Sequence, residues 1–285
     1  MNQGEFRMKK NLKWVLLAVL AFVFVIAGCT NNTEENNGAT EEGTQETQTL
    51  TVGAVPVPHA EILKFVAPAL KEKGYELKIV EYSDYVQPNL ALTDGSLDAN
   101  FFQHIPYMEQ FAKDRNLQLT WTTKVHIEPM GLYSKKLKDV SEVEDGAQVS
   151  IPNDATNGGR ALLLLEKAGL LKLKEDAGIS ATVRDIVENP KNLKIVEMEA
   201  PILPRSLDSV ALAVINTNYA LEADMSPVDD ALVIEDGDSP YANVITVRTG
   251  DEANEAIQAL NDVLTTEEVK NFIHEKYQGA ILPVF

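Results

Sequence analysis

The stretch Asn153-Asp154-Ala155-Thr156-Asn157-Gly158-Gly159-Arg160 follows the strand-like Gln148-Val149-Ser150-Ile151-Pro152 and precedes the apolar run Ala161-Leu162-Leu163-Leu164-Leu165. A strand, a polar Gly-rich turn and a helix form the unit from which α/β folds are built. A helix opening out of such a turn leaves backbone N–H groups without helical partners, and their dipoles favour an anion. The pattern predicts a helix over residues 158–168 with Arg160 in its first turn. There its planar fork can hold a carboxylate through two parallel hydrogen bonds. Taken alone, the stretch reads more simply as a capped helix with a solvated arginine.

Outward from this stretch, strand-like and helix-like patterns alternate through residues 49–285, which predicts an α/β fold with mainly parallel sheets. Strands are expected at 50–55, 77–82 and 97–102. Helices are expected at 59–73, closed by Gly74, at 86–93 and through Tyr107, Met108 and Phe111. The extended region 117–134 is too long for one buried strand, so it predicts a crossing between two lobes. A second set follows: strands at 148–152, 193–198, 210–215 and 231–234, a loosely helical 171–187, and a helix at 219–223. Strand 243–247 then carries the chain back to helices at 252–264 and 267–277. The expected division puts residues 49–126 with 249–285 in one lobe and 127–248 in the other. A faint echo pairs Leu97-Asp98, a strand, His104 and Tyr107 with Leu207-Asp208, a strand, Asn216 and Tyr219. In two-lobed α/β proteins the C-terminal strand ends face the cleft, and the echo puts both polar sets there.

The amino terminus reads differently. Lys9, Lys10 and Lys13 precede an uncharged apolar run of 14 residues from Trp14 to Ala27, which ends Ile26-Ala27-Gly28-Cys29. A membrane-spanning helix needs about 20 residues, so this is the pattern of a secretory signal over residues 1–28. The run Ile-Ala-Gly-Cys resembles a bacterial lipobox, in which the cysteine is lipidated and becomes the mature first residue. Cys29 is the only cysteine, which excludes a disulfide framework or a cysteine metal cluster. Residues 29–48 carry five glutamates and no basic or aromatic residue, the composition of a flexible tether; such a chain spans roughly 25 Å. The first 28 residues carry a net +3, which leaves −21 on the rest of a chain whose formal total is −18. That balance argues against nucleic acid and against an electrostatic grip on anionic lipid.

Several residues stand where strands give way to helices. Phe101 and Phe102 are adjacent on a strand, so at most one lines a cleft while the other is core. His104 and Tyr107 follow them, and Tyr85 sits between a strand and a helix, where binding residues are common. Asn216 and Asn218 follow an apolar strand. An asparagine offers a carbonyl to an ammonium and an amide to a carboxylate, and is also an ordinary helix N-cap. Asn243, after Ser239-Pro240-Tyr241-Ala242, reads also as a plain turn residue. The motifs G-x-S-x-G, H-E-x-x-H, G-x-x-x-x-G-K and G-x-G-x-x-G are all absent, so neither an enzyme nor a cofactor site is expected. His59, His104, His126 and Glu128 are suitable ligands for zinc or manganese, although their spacings match no local metal motif. A sulfonate-type small-anion binder would share the Gly-Gly-Arg site without needing the asparagines.

From Thr49 to Phe285 the chain resembles the methionine-binding lipoproteins of ABC importers, the NLPA lipoprotein family. The segments carrying the resemblance are Asp84-Tyr85-Val86-Gln87-Pro88-Asn89, Asp98-Ala99-Asn100-Phe101-Phe102-Gln103-His104 and Ile151-Pro152-Asn153-Asp154 with Asn157 and Arg160. Two more are Ile215-Asn216-Thr217-Asn218-Tyr219 and Ser239-Pro240-Tyr241-Ala242-Asn243. The resemblance implies a two-lobed periplasmic-binding-protein fold (type II) that closes on its ligand and delivers it to a membrane permease with a cytoplasmic ATPase. It implies a place at the extracytoplasmic face of the cell membrane, anchored through lipid on Cys29. It assigns Arg160 to the ligand carboxylate with Asn157 beside it. It assigns Tyr85, Phe102, His104 and Tyr107 to the walls of a side-chain pocket, and Asn216 or Asn218 with Asn243 to the amino group. Members differ in ligand: L-methionine, D-methionine or a short methionine-containing peptide. A flexible, polarizable thioether suits an aromatic box, at about 0.3–1.5 kcal/mol per sulfur–aromatic contact.

Overall fold

The computed structural model describes residues 47–237 and 239–285. The expected signal sequence, Cys29 and the tether as far as residue 46 lie outside the described residues, and Gln48, expected as the tether's end, already belongs to a strand.

The first lobe starts with β1 (Gln48–Ala54), α1 (Glu61–Glu72) and β2 (Tyr75–Glu81). It continues with α2 (Gln87–Thr93), β3 (Ala99–His104), α3 (Ile105–Arg115) and β4 (Leu119–Ile127). Helix α1 buries Ile62, Leu63, Val66 and Leu70, a single stripe at helical spacing. Gly74 follows at φ +94°, a left-handed conformation that only glycine adopts cheaply. After residues 128–130 the chain enters the second lobe with β5 (Gly131–Tyr133), so the expected crossing in 117–134 is real and short. There follow β6 (Gln148–Pro152), α4 (Ala155–Lys167), β7 (Lys172–Leu173), β8 (Ile186–Glu188) and β9 (Lys194–Met198). The lobe closes with α5 (Leu203–Ser206), β10 (Leu212–Ile215), α6 (Thr217–Glu222) and β11 (Val233–Ile234). A second crossing leads to β12 (Ala242–Arg248), α7 (Glu255–Leu264), α8 (Glu267–Tyr277) and β13 (Leu282–Pro283).

One sheet runs β13-β4-β12-β3-β1-β2 and the other β11-β5-β10-β6-β9. Because β12 pairs with both β3 and β4, the chain returns to the first sheet at residue 242. The expected boundary at 248–249 is therefore late by one strand. The sheets are also less parallel than expected. Parallel pairs surround β1 and β6, whereas β4, β5, β11, β12 and β13 pair antiparallel. Parallel neighbours need a helical crossover, and strands next to the direct crossings have none. The first sheet packs Leu50, Val52, Phe101 and Ile245 against α1, α7 and α8, and the second packs Val149, Ile151 and Val214 against α4. Among the described residues, no helix is long and apolar enough to cross a membrane.

Two local expectations fail for identifiable reasons. Residues 171–187 are not a loose helix but the β7–β8 ladder with two 3₁₀ turns. Thr182 and Asp185 cap each other's backbone there, and Leu171, Leu173 and Ala181 pack on α4. The helix expected from residue 158 starts earlier, at Ala155, so Gly158 and Gly159 lie well inside it and Arg160 stands in its second turn rather than its first. The glycines serve close packing. A Cβ on Gly158 would stand 3.0 Å from the Pro152 carbonyl, and one on Gly159 would collide with the Ile179 carbonyl. Replacing a helical glycine by alanine normally gains up to about 1 kcal/mol. Here Gly159→Ala is expected to destabilise by about 1–3 kcal/mol through overpacking. Urea denaturation checks the sign, and a gain in stability would contradict this packing.

Candidate functional site

Between the lobes, a cavity of about 20 Å³ is lined by Tyr85, Phe102, Gln103, His104, Tyr107, Glu128, Asn157, Arg160, Asn216, Thr217, Asn218 and Asn243. All nine residues expected at a ligand site are among them. Gln103, Glu128 and Thr217 were not expected there, and Glu128 had been weighed only as a metal ligand. The C-terminal ends of β3 and β10 bring His104 and Asn216 to the same cavity, as the faint sequence echo suggested. The adjacent phenylalanines divide as strand geometry requires: Phe101 lies in the first-lobe core and Phe102 faces the cavity. Tyr85 anchors an aromatic wall, its ring 6.0 Å from Phe102, 5.8 Å from Tyr107 and 5.0 Å from Tyr219. A wider mouth of about 550 Å³ adjoins this wall, lined by Asp84, Asp114, Asp154 and Glu199 with Arg115 as the basic residue.

The amino end of α4 is not bare. Asp154 is its N-cap and accepts from the Asn157 N–H at 2.9 Å, so an internal carboxylate occupies the place expected for a ligand anion. Asn157 is similarly committed. Its Nδ2 donates to both Asp154 oxygens at 3.1 and 2.9 Å, and its Oδ1 accepts from Asn216 Nδ2 at 2.9 Å and from His104 Nε2 at 3.1 Å. The His104 tautomer follows from its capping of α3: Nδ1 accepts the Tyr107 N–H at 3.1 Å, so Nε2 carries the proton. Asn216 makes no side-chain cap bond to α6. Its Oδ1, with Asn218 Nδ2, is buried without a hydrogen-bond partner among the described residues.

Arg160 is only 3 % exposed. Its Nε donates to Glu235 Oε1 at 2.8 Å, and Nη2 donates to Glu235 Oε2 and to the Glu128 carbonyl, the latter at 2.7 Å. The Tyr241 ring lies 4.1 Å from the guanidinium carbon. These contacts use one edge of the fork, and Nη1 forms no hydrogen bond among the described residues. Glu128, in the first crossing, accepts from His126 Nε2 at 2.8 Å and from the Asn218 N–H at 3.2 Å, with His59 Nε2 at 3.3 Å. Burial pushes its carboxyl up, against the pull of His59, Arg160 and the Asn218 amide.

His59, His126 and Glu128 thus converge, while His104 does not join them. The hydrogen bonding decides what the cluster is. His59 Nε2 bonds Asn243 Oδ1 at 3.0 Å, an acceptor, so this nitrogen carries its proton and offers no lone pair to a metal. A metal-bound histidine normally donates its other N–H to a partner, yet Nδ1 of His59 and of His126 has none among the described residues. With both Nε2 atoms protonated every donor is met. Burial lowers His59 to about 4 and His126 to about 3. Burial and the nearby Arg160 lower His104 to about 3, so all three imidazoles are neutral.

Comparison with known proteins now applies. A model of the NlpA lipoprotein family matches residues 50–285. The probable D-methionine-binding lipoprotein MetQ of Vibrio cholerae is 42% identical over 275 residues, which cover 96% of this chain and 98% of the relative. The methionine-binding lipoprotein MetQ of Bacillus subtilis is 42% identical over 282 residues, covering 97% and 99%. Among solved structures, a nutrient-binding protein from Burkholderia cenocepacia bound to methionine superposes with a TM-score of 0.81. It is 44% identical, with 83% of this chain and all of that chain covered. A family match over almost the whole described chain, with relatives this similar along their full lengths, places the protein: it belongs to the NlpA lipoprotein family.

Proposed function

We propose that this protein is the ligand-capture lipoprotein of an ABC importer, that its ligand is methionine, and that the cavity between the lobes is where methionine is held. The observation carrying this reading is one small cavity that combines an arginine with Nη1 unused, a buried glutamate, unmatched asparagine atoms and an aromatic wall. Those are the partners a zwitterion with an apolar side chain needs. Arg160 Nη1 and Asn218 Nδ2 are donors for the α-carboxylate, and Asn216 Oδ1 and Glu128 are acceptors for the ammonium. Tyr85, Phe102 and Tyr107 surround the thioether, with the ring of His104 beside them. The family supports the rest: a lipid anchor on Cys29 at the extracytoplasmic face, and delivery to a permease with its ATPase. The role is to bind and release, without chemical conversion.

The donor set distinguishes this reading from a metal carrier. Purified protein is expected to contain no stoichiometric zinc or manganese, and a chelator is expected to leave methionine affinity unchanged. Metal at one equivalent, measured by elemental analysis, would overturn the tautomer assignment and favour the metal carrier.

Arg160→Ala is expected to weaken methionine binding at least about 100-fold, since charge-assisted hydrogen bonds contribute about 1.5–3 kcal/mol each. Calorimetry showing near-wild-type affinity in a folded variant would reject the role of Arg160. In a thermal-shift screen, methionine at a hundredfold excess over Kd should add about 2.7 kcal/mol, while alanine and glutamate, which leave the aromatic box empty or bring a second charge, should add little. A larger shift with glutamate would sink the aromatic-box argument.

The neutral histidines fix a pH dependence. Burial lowers His59 to about 4 and His104 and His126 to about 3, from the ordinary histidine value of 6.5. Between pH 6.5 and about 4, the unfolded chain takes up protons that the folded chain refuses. Stability is therefore full above pH 6.5 and falls as the pH drops through that window, by up to about 1.4 kcal/mol per pH unit for each histidine. Glu222, pushed up by burial to about 7, and Glu128, also pushed up by burial, take up protons in the same window and offset part of this fall. Denaturant titrations between pH 6.5 and 5 check the net slope, and a stability that rises on acidification would show that the three rings are not held neutral.

A further inference from the structure

Glu235 does not line the cavity. It lies in the second crossing and binds Arg160 through Nε at 2.8 Å and through Nη2, which leaves Nη1 without a hydrogen bond among the described residues. Its Oε2 also accepts the Met130 N–H at 2.9 Å from the first crossing. The carboxylate is thereby fixed by three donors from two chain segments.

We propose that Glu235 is a positioning residue that makes this site select a zwitterion over a simple anion; the inference rests on the reading of Arg160 as the carboxylate anchor. A buried guanidinium without a counter-charge would be a general anion site, open to any carboxylate or sulfonate of suitable shape. Glu235 changes this in two ways. It holds the guanidinium plane so that Nη1 keeps a defined direction, and it cancels the arginine's charge at contact distance. The ligand carboxylate then meets well-placed donors but little net positive charge. Besides Arg160, the group facing the cavity that can carry charge near neutral pH is the carboxyl of Glu128, because His104 is neutral and burial pushes the Tyr85 and Tyr107 hydroxyls up. A ligand that brings only a carboxylate finds no uncompensated cation. One that also brings an ammonium gains at Glu128 and at Asn216 Oδ1. Selectivity for the amino group is thus set partly by a residue the ligand does not touch.

The test uses the full-length protein and two ligands, methionine and the analogue with hydrogen in place of its amino group, with affinities measured by calorimetry. The unaltered protein is expected to prefer methionine by more than about 100-fold, roughly the 2.7 kcal/mol that such a ratio represents. In Glu235→Gln, which keeps the size but removes the charge and leaves one acceptor oxygen where there were two, the preference should fall at least about tenfold, with the deaminated analogue gaining affinity in absolute terms. Glu235→Asp keeps the charge and should retain the preference even where both affinities drop. In an Arg160→Met background the Glu235→Gln change should leave the ratio unaltered. A merely structural role predicts equal losses for both ligands, so an unchanged ratio in Glu235→Gln, or a collapse in Glu235→Asp matching that in Glu235→Gln, would overturn the proposal. Failure of the unaltered protein to bind methionine would instead overturn the reading of the cavity, and this inference with it.

Discussion

A guanidinium buried to 3 % exposure is the constraint around which the space between the lobes is built. Stripping such a charge of its partner costs about 3–5 kcal/mol, so the fold must supply compensation from several directions at once. It does so by bringing both crossings to one side chain: the Glu128 carbonyl from the first, Glu235 from the second, and the Tyr241 ring packed against the plane. Helix α4 has to approach closely enough for Arg160 to reach them. Gly158 and Gly159 permit that approach, because a Cβ at either position would press on backbone carbonyls of Pro152 or Ile179. The glycines and the arginine are therefore parts of one packing solution.

That interdependence explains what the sequence revealed and what it concealed. Residues at the ends of strands, Tyr85, Phe102, His104, Asn216 and Asn243, were legible because alternation and turn chemistry fix where a strand stops and which side chains emerge there. Arg160 was legible from the strand, polar stretch and helix around it, and the family resemblance added Asn157. Glu128 and Glu235 were not legible as site residues. They stand in short crossings without periodicity, and the ion pair of Glu235 spans 75 residues of sequence. The start of α4 was placed three residues late because glycine marks both loose backbone and tight packing, and only a neighbouring segment distinguishes them. Asn157 lines the cavity, yet its amide is filled by Asp154, His104 and Asn216. Its visible work is to align the groups around it.

The same separation of near from far applies to the histidines. Their residue types suggested metal; their hydrogen-bond partners, contributed by β12 and by the first crossing, make them neutral donors instead. His59 is fixed by Asn243 from 184 residues away, a relation that spacing in the chain could not disclose.

How the site opens follows from where charge is placed. The cavity of about 20 Å³ has room for little more than one water molecule, so admitting an amino acid requires the lobes to part or the side chains to withdraw. The bonds that join the lobes here are Tyr85 to Asn218, His104 to Asn157 and Tyr219 to the Ser83 carbonyl, all between neutral groups. Neutral hydrogen bonds contribute about 0.5–1.5 kcal/mol each, and water can replace them as the lobes separate. The ion pair of Arg160 with Glu235 joins the second lobe to a crossing, and Glu128 meets His59 and His126 beside the other crossing. Neither charged contact bridges directly from lobe to lobe. Opening therefore breaks cheap contacts and leaves the expensive ones assembled, so an arriving zwitterion meets charges already in position and contributes its own hydrogen bonds to closing the gap.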